Sequence, residues 1–134
     1  AAVSDFRPKK IRKNKLKKDS DKLNTIALEK NSDILEFLGK NNKNRPKIVV
    51  GFSAETENLI KNSEEKLREK RCDIIVANDV SKKDFGFNSQ YNKVSLIEND
   101  GKILNIKKSK KKFIAAAITK KILQKFLLID EKIN

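Results

Sequence analysis

A chain of 134 residues has room for one ordinary domain and not for two full ones. Hydrophobic and charged residues each make up 37% of it, enough for a core without staples, and the single cysteine, Cys72, excludes an internal disulfide. The absence of histidine excludes a histidine general base, a Ser-His-Asp triad and any histidine-containing zinc site, while the net charge of +14 raises nucleic acid as a partner class.

The opening Ala1-Ala2-Val3 reads as the end of a buried strand, so the chain is expected to be the later part of a domain. Residues 7–22 are basic, polar and without periodicity, which predicts an exposed flexible flap. A short extended segment is expected over Leu23–Glu29. Ser32 is the expected N-cap of a helix from Asp33 to about Lys40 that buries Ile34, Leu35 and Leu38. Asn41–Pro46 reads as a turn. The β-branched run Ile48-Val49-Val50 predicts a buried strand over Lys47–Phe52, ended by Gly51. Leu59, Ile60, Ser63 and Leu67 form the stripe of a helix expected over Glu55–Lys70. Ile74-Ile75-Val76-Ala77 predicts a second buried strand over Asp73–Asn78, followed by a loop to Tyr91. Lys93–Glu98, the Asn99-Asp100-Gly101 turn and Lys102–Ile106 predict an antiparallel hairpin. A last helix, capped by Ser109 and running to about Leu128, carries Ile114, Ile118, Ile122 and Phe126 at four-residue spacing. Alternating strands and helices predict an α/β, Rossmann-like fold. Its sheet should be mostly parallel, with helices on both faces and a C-terminal antiparallel hairpin.

The apolar segments are too short to span a bilayer, which takes ~18 residues, and the N-terminus lacks a signal-peptide core. A soluble, cytoplasmic setting with no membrane partner is expected. The positive charge is localised. Residues 1–18 carry +7 and residues 102–125 carry nine lysines and no acid, while the rest sums to −2. A basic nucleic-acid-binding module is therefore one reading. Against it, only five of the basic residues are arginines, the side chain that forks onto bases and phosphates. Abundant lysine, asparagine and isoleucine also fit a general compositional bias.

Ligands of open α/β sheets bind beyond the carboxyl ends of the strands. Each apolar strand here opens into polar residues: Ser4-Asp5, Ser53 to Thr56, and Asn78-Asp79. Phosphates need cations or helix N-termini. Lys15 on the flap, and Lys66 with Lys70 on one helical face, can supply cations, although a lysine pair at that spacing also serves as a plain solvated face. Phe52 is either a core residue or a stacking surface for a base. Cys72, which leads into a strand, reads as an inert core residue. Neither GxGxxG nor GxxxxGK[ST] occurs.

The segments Ala1-Ala2-Val3-Ser4-Asp5-Phe6-Arg7-Pro8, Lys15-Leu16-Lys17-Lys18 and Lys30-Asn31-Ser32-Asp33-Ile34-Leu35 resemble successive motifs of phosphopantothenate–cysteine ligase. So do Val50-Gly51-Phe52-Ser53-Ala54-Glu55-Thr56, Asp73 to Val80 and Gly86-Phe87-Asn88-Ser89. This family is the ligase half of a bifunctional coenzyme A biosynthesis protein whose other half is a flavin-dependent decarboxylase. The resemblance is ordered over residues 1–98 and thinner beyond. It implies that residues 1–134 are the C-terminal part of a single ligase domain. The implied reaction joins 4′-phosphopantothenate and cysteine through an acyl-cytidylate made from CTP with Mg2+. FMN is implied only for a decarboxylase domain fused upstream.

The implied CTP-binding residues are Ala1, Asp5, Lys15, Glu29, Lys30, Asn31, Ser32, Asp33, Phe52, Lys66 and Lys70. Lys15 is the implied catalytic flap lysine, and Asp5 the residue for the metal or the ribose. Ser32 departs from the proline usual in its motif, but serine still caps a helix. The family's Gly- and Ser-rich phosphate loop and its asparagine for the acyl intermediate have no counterpart in the 134 residues, which are therefore expected to be inactive alone. A homodimer through the hairpin region is also implied, and no specific nucleic acid.

Overall fold

The computed structural model describes residues 3–11, 25–81 and 89–131. It divides into two compact units, Ala1–Ile34 and Leu35–Asn134. In the first, β1 (Phe6–Pro8) pairs antiparallel with β2 (Leu28–Lys30), Phe6 opposite Lys30 and Arg7 opposite Glu29. Proline, which lacks an N–H, ends the strand, as such a residue must at a ribbon's edge. The expected flap is thus corrected at its start, because Arg7 and Pro8 belong to β1; residues 12–22 of it lie outside the described residues. Val3 is exposed and in no strand, since pairing begins only at Phe6. Ala1 and Ala2 lie outside the described residues.

The second unit holds a four-stranded sheet in the order β3 (Val50–Glu55), β4 (Ile74–Asp79), β5 (Tyr91–Glu98), β6 (Ile103–Lys110). β3 and β4 are parallel and joined through α2 (Leu59–Glu69), a right-sized crossover for a βαβ unit. β5 and β6 add on antiparallel, with Gly101 at φ 86 supplying the left-handed residue of the turn. The α/β class and the terminal hairpin match the expectation. Among the described strands the sheet is mixed, with one parallel pair and two antiparallel ones.

Ile74, Ile75, Val76 and Ala77 of β4 are each at most 1% exposed, and their alternation sends them to opposite faces. On one face Ile75 and Ala77 meet Val49, Leu67, Cys72 and Ile97, with Leu59 and Ile60 of α2 and Leu35 and Leu38 of α1 (Ile34–Lys40) packed on them. On the other, Ile74 and Val76 meet Val94, Leu96 and Ile114, with Ile118 and Ile122 of α3 (Lys111–Asp130) packed on them. Helices therefore cover both faces, as the sequence pattern required. Among the described residues no helix is long and apolar enough to cross a membrane.

Several boundaries differ from the sequence expectation for identifiable reasons. Gly51 lies inside β3 and does not end it. A Cβ there would come within 2.6 Å of Ile75 Cδ1 and Leu35 Cδ2, so glycine serves close packing of α1 on the sheet. α2 begins at Leu59 and not at Glu55, which is still in β3; Asn58 at φ 49 is left-handed and cannot be part of the helix. Ser109 lies in β6, so α3 starts after Lys110 without a side-chain cap. α1 begins at Ile34, which puts Asp33, not Ser32, immediately before it.

Asp73 anchors the start of β4. Its Oδ2 accepts the Val49 N–H at 2.7 Å and Arg45 Nη2 at 2.8 Å. The Gly39 end of α1 is pressed onto the end of α2, where a Cβ would stand 1.8 Å from the Lys70 carbonyl oxygen. Ile75→Ala is expected to cost about 2–5 kcal/mol by leaving a cavity under both helices of that face. Gly39→Ala is expected to cost about 1–3 kcal/mol through overpacking. Urea unfolding followed by circular dichroism measures both.

Candidate functional site

In the first unit the ribbon collects four of the expected residues. Asp5 precedes β1, Glu29 and Lys30 lie in β2, and Asn31 follows it. Asn31 is the junction. Its backbone N–H donates to Asp5 O at 2.8 Å, its Nδ2 donates to Ser4 O at 2.6 Å, and its Oδ1 accepts Arg7 Nη1 at 3.3 Å. Arg7 Nε also donates to Oε1 of Glu29, its register partner across the ribbon, at 2.6 Å. Asn31 and Glu29 thus spend side-chain capacity on holding the ribbon. Asp5, Lys30, Ser32 and Asp33 are exposed. Arg7 was missed by sequence reasoning, because in the sequence it is one cation of a basic run and its partners lie 22 and 24 positions away. Lys15 lies outside the described residues, as does Ala1.

In the second unit Lys66 is in the last turn of α2 and Lys70 is its C-cap, with the Lys70 N–H donating to Lys66 O at 3.0 Å. Cations there oppose the negative end of the helix dipole whether or not a ligand binds. Both side chains are half-buried. Phe52 is 65% exposed, opposite Val76 and on the sheet face that carries Val50. α2 packs on the other face. The structure therefore brings Lys66 and Lys70 together and sets Phe52 on the other face of the sheet. α2 runs antiparallel to β3 in the crossover, so its last turn lies where β4 begins, away from the carboxyl ends at Glu55 and Asp79. The general rule for open sheets does not lead to Lys66 and Lys70.

A second residue the sequence did not single out is Glu36 of α1. Its Oε2 accepts Lys70 Nζ at 2.9 Å, and its Oε1 accepts Lys40 Nζ at 2.6 Å. The Lys40 partner is legible as an i,i+4 pair, whereas Lys70 is 34 positions away. The hydrogen bond from Lys40 and then that from Lys70 hold the Glu36 carboxyl below its ordinary value of 4.5.

Mg2+ typically takes one or two protein carboxylates and completes its shell with water and substrate phosphates. The exposed Asp5 carboxylate suits that sparse donor set. Among the described residues no group of three or more acidic, cysteine or histidine side chains is placed to hold a metal by itself.

Residues 1–126 match the family model described as the DNA/pantothenate metabolism flavoprotein C-terminal domain. The chain belongs to this family. It is 40% identical over 121 residues to the coenzyme A biosynthesis bifunctional protein CoaBC of Borreliella burgdorferi, covering 90% of this chain and 30% of that protein. To CoaBC of Bacillus subtilis it is 41% identical over 101 residues, covering 75% of this chain and 24% of the relative. A cysteine/cysteine sulfinic acid decarboxylase from an unknown prokaryotic organism is 35% identical over 123 residues, with 92% and 34% covered. The crystal structure of the C-terminal domain of CoaBC superposes with a TM-score of 0.69 at 34% identity, over 97% of this chain and 53% of that one. The chain thus spans 24–34% of these curated relatives and about half of the solved domain. The resemblance read from the motifs and the family match point to the same family, over the C-terminal part of its bifunctional members.

The folded pKa of Glu36 is lowered, so its pairing adds stability above the unfolded pKa and loses it as pH falls through the lowered folded value. Carbon-detected NMR titration is expected to put the Glu36 midpoint below 4.5. Lys40→Ala should return that midpoint further toward 4.5 than Lys70→Ala does, since the Lys40 hydrogen bond is the largest cause.

Proposed function

We propose that this chain is the nucleotide-handling part of a CTP-dependent ligase in coenzyme A biosynthesis, joining 4′-phosphopantothenate to cysteine. The observation that carries the reading is the family match over residues 1–126, which includes every residue of the implied CTP set. The ribbon and the lysine pair support it chemically.

In this reading a carboxylate oxygen of 4′-phosphopantothenate attacks the α-phosphorus of CTP. The bond to the bridging oxygen of pyrophosphate breaks and an acyl-cytidylate forms. The cysteine amine then attacks the acyl carbon, the bond to the CMP oxygen breaks and the amine proton is released. Both steps gather negative charge, so catalysis depends on fixed cations and on positioning. Lys66 and Lys70 supply cations from the rigid end of α2. Lys15 supplies a further cation to the phosphates. Segment 29–33 reads the cytidine, mainly through backbone groups that the Asn31 and Arg7 bonds hold in place. Phe52 offers an exposed ring to stack on. Asp5 would hold Mg2+ that accompanies the triphosphate and offsets its charge. FMN belongs to a separate decarboxylase domain, outside these residues.

A homodimer forms through the hairpin in the same reading. β6 pairs only with β5 among the described strands, and Ile103 and Leu104 are exposed on it. The runner-up is nucleic-acid binding through Lys107, Lys108, Lys110, Lys111 and Lys112, all exposed where β6 runs into α3.

One set of titrations separates these readings. The complete protein is expected to bind CTP in preference to ATP. Lys70→Ala should weaken CTP binding about tenfold or more, the worth of a charge-assisted hydrogen bond. Phe52→Ala and Lys15→Ala should weaken it too. Binding to an oligonucleotide of any sequence with a steep salt dependence, and no binding of CTP, would support the nucleic-acid reading instead. Light scattering at high concentration is expected to give a dimer, and a monomer would count against the hairpin contact.

A further inference from the structure

A cavity of about 750 Å³ opens between the hairpin turn and the end of α3. It stands where β4 begins, because Glu98 beside the turn is the register partner of Ile74. The carboxyl ends of β3 and β4, at Glu55 and Asp79, lie at the other end of those strands. The cavity is therefore separate from the rim where open sheets take their ligands. Its walls have two characters. Lys102, Lys121, Gln124 and Lys125 give it a polar side, and the exposed Leu127 and Leu128 an apolar one. Apolar walls with a few placed polar groups are the usual make-up of a small-molecule site.

The charge balance decides which ligand fits. Arg45 Nη2 answers the Asp73 carboxylate at 2.8 Å, and Lys102 Nζ answers Asp100 at 2.8 Å. What remains is Glu98, its side chain 7% exposed, with Lys121 Nζ 2.7 Å from one oxygen and Lys125 Nζ 3.3 Å from the other. One carboxylate stands between two ammonium groups, so the local sum is one positive charge. The Lys121 and Lys125 side chains are 24% and 15% exposed, which places that excess where water screens it weakly. Lys125 also donates to Asn99 Oδ1 at 2.9 Å, whereas Glu98 takes one of the three donors of Lys121. Lys121 is thus the cation with the most capacity for a second anion.

We propose that this cavity binds an amphipathic anion, an aliphatic body ending in a carboxylate or a phosphate. Its head group bonds Lys121 and balances the excess charge beside Glu98, and its body lies along Leu127 and Leu128. The site does not depend on the nucleotide reading.

The test is methyl NMR of the complete protein labelled at leucine, titrated with hexanoate, hexyl phosphate and, as a neutral control, hexanol. Hexanoate or hexyl phosphate is expected to shift the Leu127 and Leu128 methyl signals. Hexanol should bind at least about tenfold more weakly, because it forgoes a charge-assisted hydrogen bond. Lys121→Met leaves Glu98 its Lys125 partner and is expected to weaken anion binding about tenfold for the same reason. Leu127→Ala should weaken it about fourfold, the worth of roughly one buried CH₂. Anion binding should also fall at high salt. Binding of either anion supports the site, and the tighter of the two names its head group. Thermal unfolding without the probes checks that each variant is folded, and the parent protein's methyl shifts with the hexanol control stand without the variants. The proposal is overturned if no probe shifts Leu127 and Leu128, if hexanol binds as tightly as the anions, or if folded Lys121→Met binds them undiminished.

Discussion

The burial of β4 is the constraint on which the second unit depends. Four consecutive apolar residues, Ile74 to Ala77, point alternately to two faces and are almost wholly removed from water. A strand of this kind is stable only between strand neighbours and beneath cover on both sides. β3 and β5 provide the neighbours, α1 and α2 one cover, and α3 the other. The crossover between two parallel strands then fixes where α2 ends, and with it where Lys66 and Lys70 stand. The candidate phosphate cations are thus positioned by hydrophobic burial several residues away from them.

Polar groups refine what burial sets. Asp73 stands just before β4 and receives both a backbone N–H from Val49 and the Arg45 guanidinium. Arg45 also donates to Gly39 O and Arg71 O, so one side chain ties the end of α1, the end of α2 and the start of β4. A buried carboxylate is tolerated where its hydrogen bonds are made. The same holds for Glu98 at the hairpin turn, which is buried between Lys121 and Lys125 of α3 and keeps that helix on its face of the sheet. Lys121 and Lys125 of the basic segment are therefore structural partners of a buried carboxylate, and Lys102 pairs with Asp100. The density of lysine in a sequence overstates the positive surface a protein presents.

The comparison with CoaBC sets the scale of the reading. This chain covers about half of the solved C-terminal domain, so the chemistry proposed here concerns a contribution to a larger site. In the proposed function the chain contributes a ribbon held by Asn31 and Arg7, a lysine pair at a helix end, and an exposed aromatic ring. None of these groups does acid–base chemistry through histidine, which the chain lacks. That agrees with a reaction in which charge stabilisation and positioning carry most of the catalysis.

The sequence alone determined the elements whose signal is periodic or compositional. The buried run at 74–77, the stripe of Leu59, Ile60, Ser63 and Leu67, the Asn99-Asp100-Gly101 turn and the four-residue spacing along α3 are all local patterns, and each produced the expected element. The family was legible because its motifs are short and contiguous. Tertiary structure decided the rest, for a single physical reason: the deciding contact joins residues far apart in the chain. Gly51 continues a strand because Ile75 and Leu35 leave no room for a side chain beside it. The helix at 59 starts late because Asn58 adopts a left-handed conformation. Lys70 has Glu36 for a partner because α1 packs against the end of α2, and Arg7 serves Asn31 because two strands pair across a gap of more than twenty residues. Local patterns record what a residue must avoid or bury, whereas the partner it finds is fixed only when the chain has folded.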